Sequence, residues 1–305
     1  MNNLIAIVGP TGVGKSQLAL HLAHNLDGEI VSADSRQIYQ YMDIGTAKIE
    51  RQELSLVPHH LIDIIKPDEL FSLAQYQQLA SKAIDDIYRR QKLPLLVGGS
   101  GQYLWSVVEG WGIPKVPPDP ELRRKLEEKA ARGGGEELYR ELLMRDPVAA
   151  RRVDRHNIRR VIRALEVSKT NNQPRQHKPE KSTPYNTLII GLMMDRNELY
   201  HRIDFRIDRM IERGLAEEVK KLMNMGYNLD LPSMSSIGYR QIGEFLKDKT
   251  TLEAAIQQIK FESHRLVRQQ YNWFSPKDDR IRWFDVQKRV EPEILALVDR
   301  FIKGD

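Results

Sequence analysis

The stretch that decides the fold is Gly9-Pro10-Thr11-Gly12-Val13-Gly14-Lys15-Ser16, close to the start of the 305-residue chain. It matches the spacing G-x-x-x-x-G-K-[ST]. An aliphatic run at 4–8 precedes it, and leucines spaced four residues apart follow it. The order is therefore strand, glycine-rich loop and helix, in which backbone N–H groups and the helix N-terminus converge on a phosphate. We predict a diphosphate or triphosphate site here.

The side chains of this stretch, called the phosphate loop below, suit the same ligand. Lys15 adds a positive charge, and the Ser16 hydroxyl is a ligand for Mg²⁺. The expected cradle is the whole loop: Gly9, Pro10, Thr11, Gly12, Val13, Gly14, Lys15 and Ser16. Because backbone amides recognise the diphosphate and not the group attached to it, the motif leaves the rest of the ligand open.

A second acidic group is expected at the end of a neighbouring strand. Asp34 follows the apolar run 29–33, and Asp195 follows the run 189–194. The carboxyl ends of parallel strands face the ligand crevice, so Asp34 is the stronger candidate. A turn or helix-capping role for Asp34 remains an alternative of equal weight. Asp195 is interpreted as a helix cap.

Short apolar runs alternate with helical patterns along the chain, at 29–33, 93–97 and 188–194. This alternation predicts an α/β fold with a P-loop NTPase-like parallel sheet and flanking helices. Two linkers rich in proline and polar residues bracket a helical segment. We expect a first part of the core at 1–115, an all-helical insertion at 116–185 and a mostly helical second part of the core at 186–305. Within that second part, residues 198–225 are predicted to form one long amphipathic helix.

The positive charge of the chain belongs to the insertion. Residues 121–181 contain 17 Lys and Arg against 10 Asp and Glu, whereas the whole chain has a net charge of +5. Six arginines lie between Arg151 and Arg163, and only Asp154 opposes them there. Like charges at helical spacing repel, so a polyanionic partner and a solvated helix face are competing interpretations of equal weight.

Several classes of function are excluded by composition. The chain has no cysteine, which removes disulfides, thiolate nucleophiles, cysteine-bound zinc and iron–sulfur clusters. The N-terminal apolar run ends at Gly9-Pro10 and is too short to span a bilayer. We therefore expect a cytoplasmic protein that has no membrane partner and is a monomer. The pair His59-His60 has no compact third ligand, which argues against a zinc site.

A turn at 98–101 contains three glycines and Ser100, which permits close approach of a substrate, although an ordinary flexible turn explains it equally well. The pairs Trp273-Phe274 and Trp283-Phe284 are interpreted as core residues.

The sequence resembles the tRNA dimethylallyltransferases nearly from end to end. The resemblance rests on the phosphate loop and on several further motifs, of which the first is far more specific than the loop itself. These motifs are Asp34-Ser35-Arg36-Gln37-Ile38-Tyr39 with Met42-Asp43-Ile44-Gly45-Thr46-Ala47-Lys48, Pro58-His59-His60-Leu61-Ile62-Asp63, the run 97–104, Arg163-Ala164-Leu165-Glu166-Val167 and Ile237-Gly238-Tyr239-Arg240-Gln241.

The resemblance implies transfer of a dimethylallyl group from dimethylallyl diphosphate to N6 of the adenosine 3′ of the anticodon, with Mg²⁺ as cofactor. The expected partners are the tRNA anticodon stem-loop and dimethylallyl diphosphate. Asp34 becomes the general base, and the expected catalytic group is Asp34, Lys15, Ser16 and Arg240. The expected tRNA contacts are Asp34, Ser35, Arg36, Gln37, Ser100, Arg123, Asn157, Arg159, Arg160 and Arg163.

Two other functions remain compatible with the residues alone. A P-loop kinase that phosphorylates a small metabolite from ATP would use the same loop. A noncatalytic RNA-binding ATPase would use the loop together with the arginine face.

Overall fold

The computed structural model describes residues 2–114, 116, 119–170 and 184–304. Within these ranges a six-stranded sheet has the order β3-β2-β4-β1-β5-β6, and its neighbouring strands are parallel. The strands are β1 (Asn2–Val8), β2 (Gly28–Ser32), β3 (His59–His60), β4 (Leu93–Val97), β5 (Tyr185–Met193) and β6 (Ile281–Asp285). The predicted α/β fold with a parallel sheet is confirmed.

The central strands are buried on both faces, which explains their composition. Residues 4–8 of β1 are completely buried, and β2 is buried throughout. Strands covered by helices on both sides are continuous aliphatic runs without polar alternation. The phosphate-loop strand therefore lies at the centre of the sheet, paired with β4 on one side and β5 on the other.

Helices cover the sheet and continue beyond it. They are α1 (Lys15–Asn25), α2 (Arg51–Leu54), α3 (Leu73–Arg89), α4 (Gly101–Val108), α5 (Pro120–Lys129), α6 (Gly135–Arg145), α7 (Pro147–Ala150), α8 (Ile158–Thr170), α9 (Arg196–Glu212), α10 (Leu215–Asn224), α11 (Tyr239–Phe245), α12 (Leu252–Trp273) and α13 (Glu291–Lys303), with a π-helical turn at Ala130–Gly134. A capping box begins α3, where Ser72 and Gln75 bond each other's backbone N–H.

The prediction of one long helix at 198–225 is wrong. The chain forms α9 and α10, which are separated at Gly214, whose φ of 94° lies in the left-handed region. The apolar period continues through the break and therefore does not reveal it. At the start of α9, Asp195 accepts hydrogen bonds from the backbone N–H groups of Asn197 and Glu198, which confirms its predicted capping role.

The order of the strands identifies where a ligand crevice forms. The chain builds β2, β3 and β4 on one side of β1 and then places β5 and β6 on the other side. Such a reversal leaves a crevice at the carboxyl ends of the central strands. The loops that follow β1, β2 and β4 contain the phosphate loop, Asp34 and the turn at 98–101.

The chain divides into two compact units, one of residues 1–110 with 183–305 and one of residues 111–182. The second unit begins a few residues before the predicted insertion at 116–185. Its described elements are α5 to α8 with the π-helical turn, and they enclose an apolar core. The fully buried core residues are Leu138, Leu142, Ala150, Val161 and Leu165.

A buried carboxylate organises this second unit. Glu166 on α8 is 1% exposed and accepts hydrogen bonds from the Arg123 guanidinium at 3.0 and 2.8 Å. It also accepts one from the Asp119 backbone N–H at 2.6 Å and one from Arg163, which donates in turn to the Val116 carbonyl at 2.9 Å. Burial alone would raise the pKa of Glu166, but these hydrogen bonds hold it below its ordinary value. Glu166 thus ties the start of the unit to α8.

Within the described ranges, no helix combines the length and the apolar character that crossing a membrane requires.

Replacing Glu166 tests this tie. Glu166→Ala leaves two guanidinium groups without a counterion and the Asp119 amide without an acceptor, so we expect the free energy of unfolding to fall by about 2 kcal/mol. Urea denaturation of the full chain, followed by circular dichroism, measures the change. In the control Glu121→Ala, an exposed pair with Lys125 is lost, at a cost below about 0.5 kcal/mol. Equal effects of the two variants would contradict the proposed tie.

Candidate active site

A cavity of about 570 Å³ lies at the carboxyl ends of the central strands. The loops after three strands contribute to its wall: Thr11 after β1, Asp34 after β2 and Gly99 after β4. Helices α9 and α12 contribute further lining residues, among them Arg206 and Gln270. The predicted phosphate and acidic groups therefore meet around one space.

The phosphate loop adopts a conformation that requires glycine. Gly9 has a φ of 141°, and a Cβ atom there would lie 2.5 Å from the Leu192 carbonyl oxygen of β5. Gly14, with a φ of 105°, directly precedes the first residue of α1. The loop consequently lies close against the sheet and leads directly into a helix N-terminus, where anions are stabilised.

Lys15 folds back over the loop. Its Nζ donates to the carbonyl oxygens of Gly9 at 3.0 Å and Pro10 at 2.8 Å. Burial lowers the pKa of Lys15 to about 8, against the opposing negative charge of Asp34 and with a smaller lowering contribution from Arg206. The phosphate loop therefore carries an ammonium group whose charge depends on pH in the range just above neutrality.

Arg206 is a functional residue that the sequence analysis missed. It lies on α9, lines the cavity and donates from Nη2 to the Thr11 hydroxyl at 3.1 Å. Its Nε is buried and has no hydrogen-bond partner in the described part of the chain. Burial lowers the pKa of Arg206, and the negative charge of Asp34 counteracts this. A guanidinium with an unused donor beside the phosphate loop is suited to an anionic ligand.

Asp34 is half-buried at the edge of the same cavity. Its Oδ1 accepts the Arg36 backbone N–H at 2.8 Å, which forms a local turn of the kind that the sequence left open. The carboxylate therefore has a turn-forming bond and also lines the cavity, where its negative charge acts on Lys15 and Arg206. One oxygen fixes the side chain, and the group can still accept a proton.

A hydrogen-bonded bridge fixes the loops relative to each other. Gln270 on α12 is 7% exposed, accepts the Thr11 backbone N–H at 2.8 Å and donates to the Gly99 carbonyl at 3.2 Å. The Ser100 hydroxyl then accepts the Ser35 backbone N–H at 3.0 Å, next to Asp34. The turn at 98–101 is therefore an ordered support between the phosphate loop and Asp34, and Gln270 is a second residue that the sequence analysis missed.

The remaining wall of the cavity is largely apolar. The side chains are contributed by α9, α10, α12 and the segment before α11, and they are Ile203, Ile207, Met210, Leu215, Ile237, Ile259, Leu266 and Trp273. Trp273 is 38% exposed, so its interpretation as a core residue is wrong, whereas Phe274 at 1% and Phe284 at 8% are core residues. A cavity with one polar, charged end and one apolar side suits an amphiphilic ligand.

Some predicted residues do not line this cavity, and Lys15 is one of them. Ser16 is exposed on α1, and Gln37 donates to the carbonyl oxygens of Thr46 and Ala47 at 3.3 Å each. Arg240 is exposed on α11 and lines a separate small pocket with Glu244 and neighbouring residues. The geometry gives no support to a catalytic role for Arg240, because the preceding residues of its motif face the cavity and its own side chain does not line it.

The predicted tRNA contacts of the insertion fall into two groups. Arg159 and Arg160 are exposed on α8, and Asn157 accepts the Arg160 backbone N–H at 3.2 Å as a helix cap. Arg123 and Arg163 are instead bonded to Glu166. Arg159 and Arg160 are therefore accessible to a polyanion, whereas Arg123 and Arg163 help to hold the unit together.

No group of three or more His, Cys, Asp or Glu side chains that could hold a metal ion occurs among the described residues. His60 bonds the buried Glu29 at 2.7 Å, and His59 bonds the Val57 carbonyl at 2.7 Å. These two histidines therefore have structural partners.

Comparisons with known proteins show which family the chain resembles. The family model described as IPP transferase matches residues 37–277. A tRNA dimethylallyltransferase of Dehalococcoides mccartyi is 47% identical over 300 residues, which are 98% of this chain and 92% of that protein. One from Chloroflexus aggregans is 51% identical over 90% of this chain and 93% of that protein.

Solved structures extend the likeness to the whole fold. A tRNA isopentenylpyrophosphate transferase of Bacillus halodurans superposes with a TM-score of 0.75 at 40% identity, covering 100% of this chain and 98% of the other. A eukaryotic dimethylallyltransferase acting on tRNA superposes with a TM-score of 0.84 at 26% identity, covering 100% and 80%. These matches extend over most of the sequence. The chain therefore belongs to the IPP transferase family.

Proposed function

We propose that this protein transfers a dimethylallyl group from dimethylallyl diphosphate to N6 of the adenosine 3′ of the anticodon in tRNA. The observation that carries the proposal is one cavity lined by Thr11 of the phosphate loop, Arg206, Asp34 and apolar side chains, with Lys15 near enough for the charges of Asp34 and Arg206 to affect its pKa. Asp34 then suits the attacking amine, and the cations suit the departing diphosphate. The relatives, named as tRNA dimethylallyltransferases, support the same substrates.

Asp34 would act as the general base. The lone pair of adenine N6 is delocalised into the ring, so the amine is a weak nucleophile unless its proton is removed as the new bond forms. N6 attacks C1 of the dimethylallyl group, the C1–O bond breaks, its electron pair leaves with the diphosphate, and the N6 proton passes to Asp34. A positioned base contributes roughly 10²- to 10⁴-fold to such a step.

The phosphate loop would stabilise the leaving group. Negative charge develops on the diphosphate as the C1–O bond breaks, and donors that are already oriented are most effective there. Loop amides, Lys15 Nζ and the unpartnered Nε of Arg206 can supply those donors. The apolar side chains of α9 and α12 would surround the five-carbon group and keep water away from the reacting carbon.

Mg²⁺ is part of the proposal, with Ser16 as its protein ligand. The Ser16 hydroxyl is exposed in the first turn of α1, next to the phosphate loop. Mg²⁺ keeps several waters and is usually bound by one or two carboxylates together with substrate phosphates, so Ser16 would supply one protein oxygen and the diphosphate and water would supply most of the others. The ion would neutralise part of the charge of the diphosphate.

The insertion would hold the tRNA through its exposed arginines. The target amine lies within a stacked loop, so the base must be extruded at a cost of a few kcal/mol. Contacts from Arg159 and Arg160 to phosphates can offset that cost. The kinase alternative has no support from the named relatives, which are transferases that act on tRNA.

The proposed function predicts the product of a defined reaction. Incubation with dimethylallyl diphosphate, Mg²⁺ and unmodified tRNA that carries this adenosine should add a five-carbon unit, detected by mass analysis of the nucleosides. ATP in place of dimethylallyl diphosphate should give no phosphorylated product. When both are present, ATP should compete only weakly with dimethylallyl diphosphate. An unmodified nucleoside would contradict the proposal.

The role of Asp34 predicts the behaviour of Asp34→Asn. The amide has nearly the same shape but cannot accept the N6 proton, so turnover should fall by 10²-fold or more while tRNA affinity changes by about threefold at most. Single-turnover rates and filter-binding titrations measure the two quantities. Asp27→Asn, at an exposed position before β2, is the control. Turnover near that of the wild type would remove the assignment.

The pKa of Lys15 predicts a pH dependence of diphosphate binding. Protonated Lys15 attracts the ligand, and the charge is lost as pH rises through about 8, so affinity should decline from pH 8 upward. Dimethylallyl diphosphate itself changes little there, since its terminal phosphate loses its last proton near pH 6. Calorimetric titration between pH 6.5 and 9.5 measures the decline. Lys15→Arg, which stays charged, should lack the decline, and a flat wild-type profile would contradict the prediction.

The exposed arginines predict a change in salt dependence. Arg159→Ala combined with Arg160→Ala should weaken tRNA binding and reduce the log–log salt slope by about one unit for each lost phosphate contact. Binding measured from 50 to 300 mM salt gives the slope. Arg300→Ala with Lys303→Ala, two exposed residues of α13, is the charge-matched control. A slope equal to that of the control would identify the arginines as a solvated face.

A further inference from the structure

Two motifs of the sequence have no role so far. They are Met42-Asp43-Ile44-Gly45-Thr46-Ala47-Lys48, called the 42–48 turn below, and the segment Ile237–Gln241. The structure brings them together at one side chain, Glu218 on α10. This residue was not singled out by the sequence analysis.

Glu218 fills a concave set of backbone donors. Its carboxylate accepts the N–H groups of Asp43 at 3.0 Å, Ile44 at 2.9 Å and Gly45 at 3.2 Å. It also accepts the Tyr239 hydroxyl at 2.6 Å. Burial raises the pKa of Tyr239, and the neighbouring carboxylate raises it further, so the phenol remains a donor. Hydrogen bonds to an ionised acceptor are about twice as strong as neutral ones.

The 42–48 turn lies directly on this pair. A Cβ atom at Gly45 would lie 2.4 Å from the Tyr239 ring, so only glycine permits the contact. Gly45 and Thr46 line the cavity, and the carbonyl oxygens of Thr46 and Ala47 accept the two hydrogen bonds of Gln37. The turn therefore connects Glu218 to the segment that begins with Asp34.

We propose that Glu218 is a positioning residue that holds the 42–48 turn as the wall of the cavity beside the 34–37 segment. Through this turn Glu218 sets the place of the extruded nucleobase and of its general base. At the diphosphate end, Thr11 has hydrogen bonds of its own, from its backbone N–H to Gln270 and to its hydroxyl from Arg206, and Glu218 takes part in neither. Loss of the Glu218 carboxylate therefore affects the nucleobase end and leaves the diphosphate end intact.

This inference rests on the proposed function, since it assigns the two ends of the cavity to two substrates. Its test compares Glu218→Gln, Glu218→Ala and Tyr239→Phe in the full-length protein. The control is Glu217→Gln, which removes an exposed carboxylate from the adjacent position of α10. Steady-state assays give KM for tRNA and KM for dimethylallyl diphosphate separately, and amide hydrogen exchange of peptides covering the 42–48 turn gives a readout that needs no activity.

The expected result is a difference between the two substrates. Glu218→Gln should raise KM for tRNA roughly tenfold and leave KM for dimethylallyl diphosphate within about twofold, because only hydrogen bonds at the nucleobase end are weakened. Glu218→Ala should raise the tRNA value further, since glutamine keeps one acceptor. Tyr239→Phe should give a smaller increase. Amide exchange in the turn should accelerate in the same order, and Glu217→Gln should match the wild type.

Two results would overturn the inference. One is unchanged amide exchange in the 42–48 turn of Glu218→Ala, which would mean that the carboxylate does not hold the turn. The other is an equal rise of both KM values, which would indicate a general structural role. A wild-type protein without transferase activity would reject the proposed function instead, and the exchange measurement would still decide whether Glu218 holds the turn.

Discussion

The position of β1 at the centre of the parallel sheet is the constraint on which the rest of the structure depends. Pairing with β4 on one side and β5 on the other places the strand ends of β1, β2 and β4 at one edge. The phosphate loop, Asp34 and the Gly99 turn follow those ends and therefore face one space. Buried aliphatic pairing, rather than any contact between the polar groups, brings them there. Hydrogen bonds such as those of Gln270 then fix the positions of the loops relative to each other.

The electrostatics of the cavity follow from this convergence. Burial lowers the pKa values of both Lys15 and Arg206, and the negative charge of Asp34, which lines the same cavity as Arg206, opposes that effect. Burial destabilises the charged forms of Lys15 and Arg206. A negatively charged ligand that binds beside them offsets part of this desolvation free energy. The proposed diphosphate binding and proton removal can therefore take place around one cavity.

Much of the fold and part of the site could be predicted from the sequence. The phosphate loop and Asp34 are local signals, because a short motif or a strand end fixes where each one lies. Arg206 and Gln270 are different, since each stands within an apolar helical face and becomes functional only when α9 and α12 pack over the loop. A charged residue among Ile203, Ile207 and Met210 was the available signal for Arg206. The break at Gly214 was hidden by an uninterrupted apolar period, and the pairing of Arg123 and Arg163 with Glu166 depends on tertiary contacts that composition does not reveal.

The bond between Thr11 and Gln270 has a consequence for how the protein is made. It joins residues that are 259 positions apart, so synthesis on the ribosome must pass most of the chain before the bond can form. At about 5 to 20 residues per second, a nascent chain spends tens of seconds with its early glycine loop exposed and lacking this support. Contacts of such long sequence separation also form slowly. A chain released before α12 emerges would contain the loop, the acid and the turn after β4 without the helix that ties them together.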